Sequence, residues 1–207
     1  PDQIFEWSDR HKKTPKTSAP SIDSAINKIK PLIDQGHEVI CFSISESMST
    51  SGNVMRLAAA ELDAEDKVIV INSRNLSTGI SMLIIEAAAM AEEGMDASSI
   101  EERIKDLIPL VRTSFVIETM VYLKRGGRCN AVTALAGAAL RIHPEILVSD
   151  GAMHVGRKYR GKIDRVIMKY AKDLEEDLLK ARKDRVFVTH SACDGNVVDS
   201  VKDYIKG

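Results

Sequence analysis

The stretch that decides the fold reads Val39-Ile40-Cys41-Phe42-Ser43-Ile44-Ser45-Glu46-Ser47-Met48-Ser49-Thr50-Ser51-Gly52-Asn53. Its first six residues form an almost unbroken apolar run, the pattern of a strand buried on both faces. A hydroxyl-rich loop follows, and a helix is expected over residues 54–62. A second hydroxyl-rich loop, Thr17-Ser18-Ala19-Pro20-Ser21, precedes another helix. Hydroxyls and unpaired backbone N–H groups at a helix start suit an anion. Neither loop has a catalytic base or a metal cluster beside it in sequence. The pattern therefore favours holding a carboxylate or phosphate over cutting a bond.

Working outward, Ser21 is placed to cap a helix with apolar positions Ile22, Ala25, Ile26, Ile29, Leu32 and Ile33. Pro31 is expected to kink or split that helix, and Gly36 to end it. The first ten residues carry little signal, and residues 11–16 read as a polar loop. Beyond the serine loop, residues 67–71 form a second strand of the buried type. Residues 72–77 form a loop, and a small-residue helix runs over 79–93 until Gly94. Ser98 or Ser99 caps a helix through residue 111. Alternating strands and helices predict a parallel sheet with helices on its faces. The loops after residues 44 and 71 then lie beyond the carboxyl ends of the strands, where such sheets bind ligands.

From about residue 113 the pattern changes. Strands are expected over 115–119, 146–148 and 153–158, the last two joined by a turn at Asp150-Gly151. Residues 120–123 start a helix that Gly126-Gly127 ends, and residues 131–141 form an alanine-rich helix. One long amphipathic helix is predicted over 163–182, a strand over 186–190 and a final helix over 197–205. The expected fold class is thus α/β, a parallel sheet with flanking helices, plus a second α+β domain. The domains are expected at 1–112 and 113–207.

Composition narrows the function. Basic and acidic residues nearly balance, 29 against 30, so no global field attracts nucleic acid, and aromatics are too few, at 4%, for base-stacking platforms. Cys41, Cys129 and Cys193 have no metal-ligand spacing, and an odd cysteine count suits a reducing cytoplasm. No apolar run is long enough to span a membrane. A phosphate-binding P-loop, a G-x-G-x-x-G and a G-x-S-x-G are all absent. His143, before Pro144, has no second metal ligand at a suitable spacing.

Several constellations admit two readings. The hydroxyl loops are either ordinary caps or an anion site, although five serines between Ser43 and Ser51 exceed what one cap needs. The turn Leu123-Lys124-Arg125-Gly126-Gly127-Arg128 is either a basic helix end or a close-approach loop in which Arg128 pairs with a carboxylate. Ala131, Ala134, Ala136, Gly137, Ala138 and Ala139 leave room either for close helix packing or for an apolar chain. Arg157, Lys158, Arg160, Lys162 and Arg165 form either a solvated face or a docking patch for an acidic partner.

Taken in order, Thr17-Ser18-Ala19-Pro20-Ser21, Ser45 to Ser49, Asn72-Ser73 with Gly79, Leu123 to Arg128, and Asp150-Gly151 with the basic stretch to Arg160 resemble the DegV family of bacterial fatty acid-binding proteins. The resemblance runs over residues 15–205. It implies a two-domain α/β protein, of the EDD fold, with a long-chain fatty acid lying between the domains. By that resemblance Thr17 and Ser49 hold the carboxylate, with Arg128 as a further partner. Ser18, Thr50, Ser73, Gly127, Ala134, Gly137 and Ala138 are candidates for lining the same site. The resemblance also implies a separate fatty acid kinase, which makes the acyl phosphate used in phospholipid synthesis, docking around Arg157 and Arg160. The chain itself is then non-catalytic, with no cofactor, no metal and no nucleic acid partner, and works in the cytoplasm without being an integral membrane protein.

The chain departs from the family pattern at several places. Met48-Ser49-Thr50-Ser51 stands where Leu-Ser-Gly-Thr is usual, Asn72 where an aspartate is usual, and His143 where a lysine is usual. An N-terminal strand with an Asp-Ser-Thr segment and a C-terminal Gly-Pro-Gly turn are missing, so the sequence is expected to be a piece of a longer protein. Two rival readings remain open: an enzyme acting on a phosphorylated or acyl small molecule, with Arg128 as anion clamp, and a lipid-responsive regulator.

Overall fold

The computed structural model describes residues 2–127 and 142–207. Its helices, in chain order, are α1 (Asp2–His11), α2 (Ile22–Asp34), α3 (Ser51–Glu61), α4 (Thr78–Glu92), α5 (Ala97–Leu107), α6 (Val121–Gly126), α7 (Ile163–Asp173), α8 (Glu175–Lys180) and α9 (Gly195–Lys206). Its strands are β1 (Val39–Ser43), β2 (Val68–Asn72), β3 (Thr113–Val116), β4 (Ile142–Ser149) and β5 (Ala152–Arg160). These elements form two compact units. One comprises Thr17–Thr113 with Val148–Ala152, the other Pro1–Lys16, Ser114–Leu147 and Met153–Gly207. The units are not continuous in sequence, whereas the expected domains 1–112 and 113–207 divide the chain by order alone.

In the first unit β1 and β2 pair in parallel, with Val39 opposite Val68 and Ser43 opposite Asn72. Parallel neighbours need a crossover, which α3 supplies. Both faces are covered. Ala25 and Ile29 of α2 and Ala58 and Ala59 of α3 pack with Val39, Cys41, Val68 and Val70. Leu83, Ala87, Ile100 and Ile104 pack with Ile40, Phe42, Ile69 and Ile71. Alternate residues of each strand thus enter different cores, which is why the strands read as continuous apolar runs. Each fully buried Leu83, Ile100 or Ile104 side chain stabilises the unit by about 2 kcal/mol.

Local signals act largely as expected. Ser21 caps α2, its hydroxyl accepting the Ser24 N–H at 3.2 Å. Gly36 and Gly94 follow their helices at φ +85°. The Asp150-Gly151 turn joins β4 to β5 with both residues at positive φ, 51° and 78°, the geometry of a tight two-residue hairpin. α2 runs through Pro31 instead of splitting there. The proline lies in the last turn, so its missing N–H and its crowding of the Asn27 carbonyl fall near the end of the helix. Asp96, not Ser98 or Ser99, caps α5, because its carboxylate reaches both the N–H (2.9 Å) and the hydroxyl (2.7 Å) of Ser99.

The second unit carries a three-stranded antiparallel sheet in the order β3-β4-β5. One segment without a sequence signal is filled in here, and two expectations are corrected. The first ten residues, which carry little sequence signal, form α1, held by partners more than a hundred residues away. The single helix expected over 163–182 is two, α7 and α8, broken at Leu174. Glu175, Glu176 and Asp177 follow that break, and acidic residues favour a new helix start. No strand forms over residues 186–190. Phe187 and Val188 are 40% and 39% exposed there, and a strand exists only through the partner it pairs with. The helix expected over 131–141 lies outside the described residues.

Candidate functional site

Strand pairing sets the geometry. Because β1 and β2 end together at Ser43 and Asn72, the loops that follow begin as neighbours, as the topology predicts. They are then laced together. Ser45 N–H donates to the Asn75 carbonyl at 2.9 Å, and Ser73 N–H to the Ser43 carbonyl at 3.2 Å. The Asn72 Oδ1 accepts from Glu46 N–H at 3.3 Å and from Arg74 N–H at 3.0 Å. The Asn72 side chain therefore bridges both loops.

The five serines of the β1–α3 segment do different jobs. Ser43 is buried and donates to the Ile71 carbonyl at 3.4 Å. Ser45 and Ser47 both donate to the carbonyl of Gly151, Ser45 at 2.5 Å. Ser49 and Ser51 meet hydroxyl to hydroxyl at 2.7 Å, and Ser51 N–H donates to Ser49 Oγ at 3.2 Å. Thr50, exposed at the start of α3, makes no side-chain bond to the helix end. Thus Thr50 supplies no cap to α3, and of the two half-buried hydroxyls beside it Ser49 takes the first N–H of the helix. The helix N–H groups left over carry partial positive charge. A Cβ on Gly52, the second residue of α3, would lie 2.9 Å from Ser43 Oγ, so the displaced glycine is a packing requirement.

The other expected site residues fall as follows. Thr17 and Ser18 are exposed in the irregular segment leading to α2. Ser73 is buried, its hydroxyl engaged with the Asn75 N–H (3.2 Å) and carbonyl (3.3 Å). Gly127 caps the C-terminus of α6 at φ +69° and is exposed. Arg128, Ala134, Gly137 and Ala138 lie outside the described residues. Of the docking pair, Arg157 donates to the Asp173 carbonyl at 3.0 Å, while Arg160 is exposed. Strand alternation puts the two on opposite faces of β5. Lys169, at 3.1 Å, and the Tyr159 hydroxyl hold the Asp173 carboxyl below the usual carboxylate range.

Sequence reasoning missed the Ser45 and Ser47 bonds to Gly151 and the role of α1. Nothing local signals either, since both depend on partners distant in sequence. Burial pushes the Cys41 thiol up, so it stays protonated in β1. Among the described residues no group of three or more His, Cys, Asp or Glu side chains is placed to hold a metal ion. No described helix is long and apolar enough to cross a membrane.

The sequence matches the family described as "Uncharacterised protein, DegV family" over residues 1–207. The chain belongs to the DegV family. The DegV domain-containing protein CPE1310 of Clostridium perfringens is 32% identical over 160 residues, covering 77% of this chain and 57% of its own length. This DegV chain therefore spans little more than half of that relative. A stearic acid-binding protein from Eubacterium ventriosum has a TM-score of 0.70 at 27% identity, covering 85% of this chain and 62% of its own. The Fatty Acid Kinase (Fak) B3 protein of Streptococcus pneumoniae, solved with linoleic acid, shares the DegV fold. Its TM-score is 0.71 at 19% identity, over 85% of this chain and 62% of its own.

Proposed function

We propose that this DegV chain is part of a cytoplasmic, non-catalytic fatty acid carrier. It binds a long-chain fatty acid by its carboxylate and presents that group to a partner fatty acid kinase for phospholipid synthesis. The observation that carries the reading is the start of α3, where Thr50 supplies no cap and the Ser49 and Ser51 hydroxyls meet at 2.7 Å. A carboxylate there accepts from hydroxyls and helix N–H groups together. Thr17 and Arg128 complete the polar clamp, and Ala134, Gly137 and Ala138 leave volume for the acyl chain. Burial of the chain, at about 0.8 kcal/mol per methylene, supplies most of the affinity, and the clamp sets orientation. The stearic acid-binding relative from E. ventriosum supports the ligand class. The B3 protein of S. pneumoniae suggests the kinase link through its fold.

Mass spectrometry of a solvent extract from purified full-length protein tests this. A stoichiometric long-chain fatty acid is expected. A clean extract from folded protein, with no uptake of added acid, overturns the reading.

A further inference from the structure

Leu179 is the most exposed large apolar side chain among the described residues, at 81%. It stands on α8, whose six residues read Glu175-Glu176-Asp177-Leu178-Leu179-Lys180. A single exposed leucine is ordinary on a protein surface. This one is framed by three carboxylates against one lysine. Glu176 pairs with Lys180 at 2.6 Å, whereas Glu175 and Asp177 form no ion pair among the described residues.

The same unit carries a groove of opposite character. α7 and α9 pack together, burying Val166 and Ala171 from one and Val198 and Val201 from the other. Beside that seam lies a groove of about 560 Å³, with Met168 and Val197 half-buried in it. Arg165, Met168, Lys169 and Lys172 recur at spacings of three and four, so they share one face of α7. Lys169 pairs with Asp173 at 3.1 Å. Arg165 and Lys172 are exposed and form no ion pair among the described residues. One carboxylate, Asp164, stands against these three cations. No described residue of α8 lines the groove, so Leu179 does not fill the groove of its own chain.

We infer that α8 of one copy of this chain docks in the α7–α9 groove of a second copy. Leu179 enters between Met168 and Val197, and the carboxylates of α8 meet Arg165 and Lys172. The groove carries an excess of two positive charges and α8 an excess of two negative ones, which orients the encounter. An apolar side chain laid in a groove and rimmed by opposite charge is how amphipathic helices are commonly recognised. Each copy carries both the helix and the groove, so a two-fold arrangement makes the contact twice. The contact is small, and the dimer is therefore weak and sensitive to concentration and salt. The inference does not depend on the fatty acid reading.

Sedimentation equilibrium of the full-length protein at rising concentration tests this. A monomer–dimer equilibrium is expected, weakened about tenfold in Leu179→Ala. Leu179 is exposed, so that variant keeps the wild-type melting temperature. Two charge-reversed proteins test the rest: Arg165→Glu with Lys172→Glu, and Glu175→Lys with Asp177→Lys. Each alone should self-associate about tenfold more weakly than wild type. Mixed in equal amounts they should pair, because the reversed groove of one then meets the reversed helix of the other, and the two unaltered surfaces also match. A misfolded variant cannot give that result. A wild-type protein that stays monomeric at every concentration reached overturns the inference, as does a dimer equally strong in Leu179→Ala. A mixture of the reversed proteins that associates no better than its components also overturns it.

Discussion

The Ser45 hydroxyl donates to the Gly151 carbonyl at 2.5 Å, joining positions 106 residues apart, and Ser47 donates to the same oxygen. Beside them Arg74 pairs with Asp150 at 3.1 Å. The tip of the β4–β5 hairpin thus belongs to the hydroxyl loops. Ser45 is buried, so its bond is shielded from competing water, whereas the exposed Arg74–Asp150 pair contributes little.

Gly151→Ala is therefore expected to destabilise the first unit. The residue sits at φ +78°, and an added Cβ would lie 2.8 Å from Ser45 Oγ. Backbone strain and displacement of the serine together cost about 1–3 kcal/mol. Urea unfolding measures this, and a midpoint equal to wild type would show that the loop adapts freely.

Gly79 and Thr113 form a second close contact. A Cβ at Gly79 would lie 2.1 Å from Asn75 Oδ1 and 2.5 Å from Thr113 Oγ1. Gly79→Ala is expected to cost about 2 kcal/mol or more, since Asn75 cannot move without releasing the Leu76 N–H that it accepts at 3.0 Å. Thr113→Val should behave oppositely. Its Oγ1 is buried with no hydrogen-bond partner among the described residues, so losing it is neutral or stabilising. Thermal unfolding of both variants gives the comparison, and a Thr113→Val loss as large as that of Gly79→Ala would contradict it.

Tyr170 reports on the second unit. Burial pushes its phenol up to about 12, against a smaller lowering effect from the Ser114 hydroxyl at 2.7 Å. The folded state favours the neutral phenol. This contribution to stability is complete below the unfolded value near pH 10 and is lost as pH rises toward about 12. Tyr122 and Tyr159 are raised as well, so ultraviolet titration of tyrosinate should show a late-ionising component that Tyr170→Phe reduces. Ser114→Ala should move it later still; an earlier titration in that variant would mean the hydroxyl favours the neutral form.

On the carrier reading, Thr17→Ala with Ser49→Ala removes two donors to the carboxylate. Affinity for a long-chain acid should fall at least tenfold, with the preference for acyl length unchanged. Equilibrium titration with a fluorescent fatty acid measures both. Wild-type affinity in a folded double variant would remove these residues from the clamp.

Much of the first unit was legible because its signals are local. The runs at 39–43 and 68–72, the Ser21 cap and Gly36 and Gly94 act within a few residues of themselves. Periodicity and capping therefore located them, and strand order followed from the alternation with helices. The proximity of the two loops after β1 and β2 was legible for the same reason, since parallel neighbours end on the same side.

By itself, then, the sequence determined the two-part α/β and α+β architecture, the strands of the parallel sheet and the turn at Asp150-Gly151. Tertiary structure alone decided which serine does which task. Ser45 and Ser47 differ from Ser49 and Ser51 only in what the fold brings within hydrogen-bonding distance, a carbonyl from residue 151 or one another. It also decided that residues 2–11 form a helix, through Tyr122 and Arg125, and that residues 186–190 form no strand. Helix caps and apolar periods are encoded within one or two turns of chain. Hydrogen bonds across a hundred residues are set by the whole fold, and no local pattern carries them.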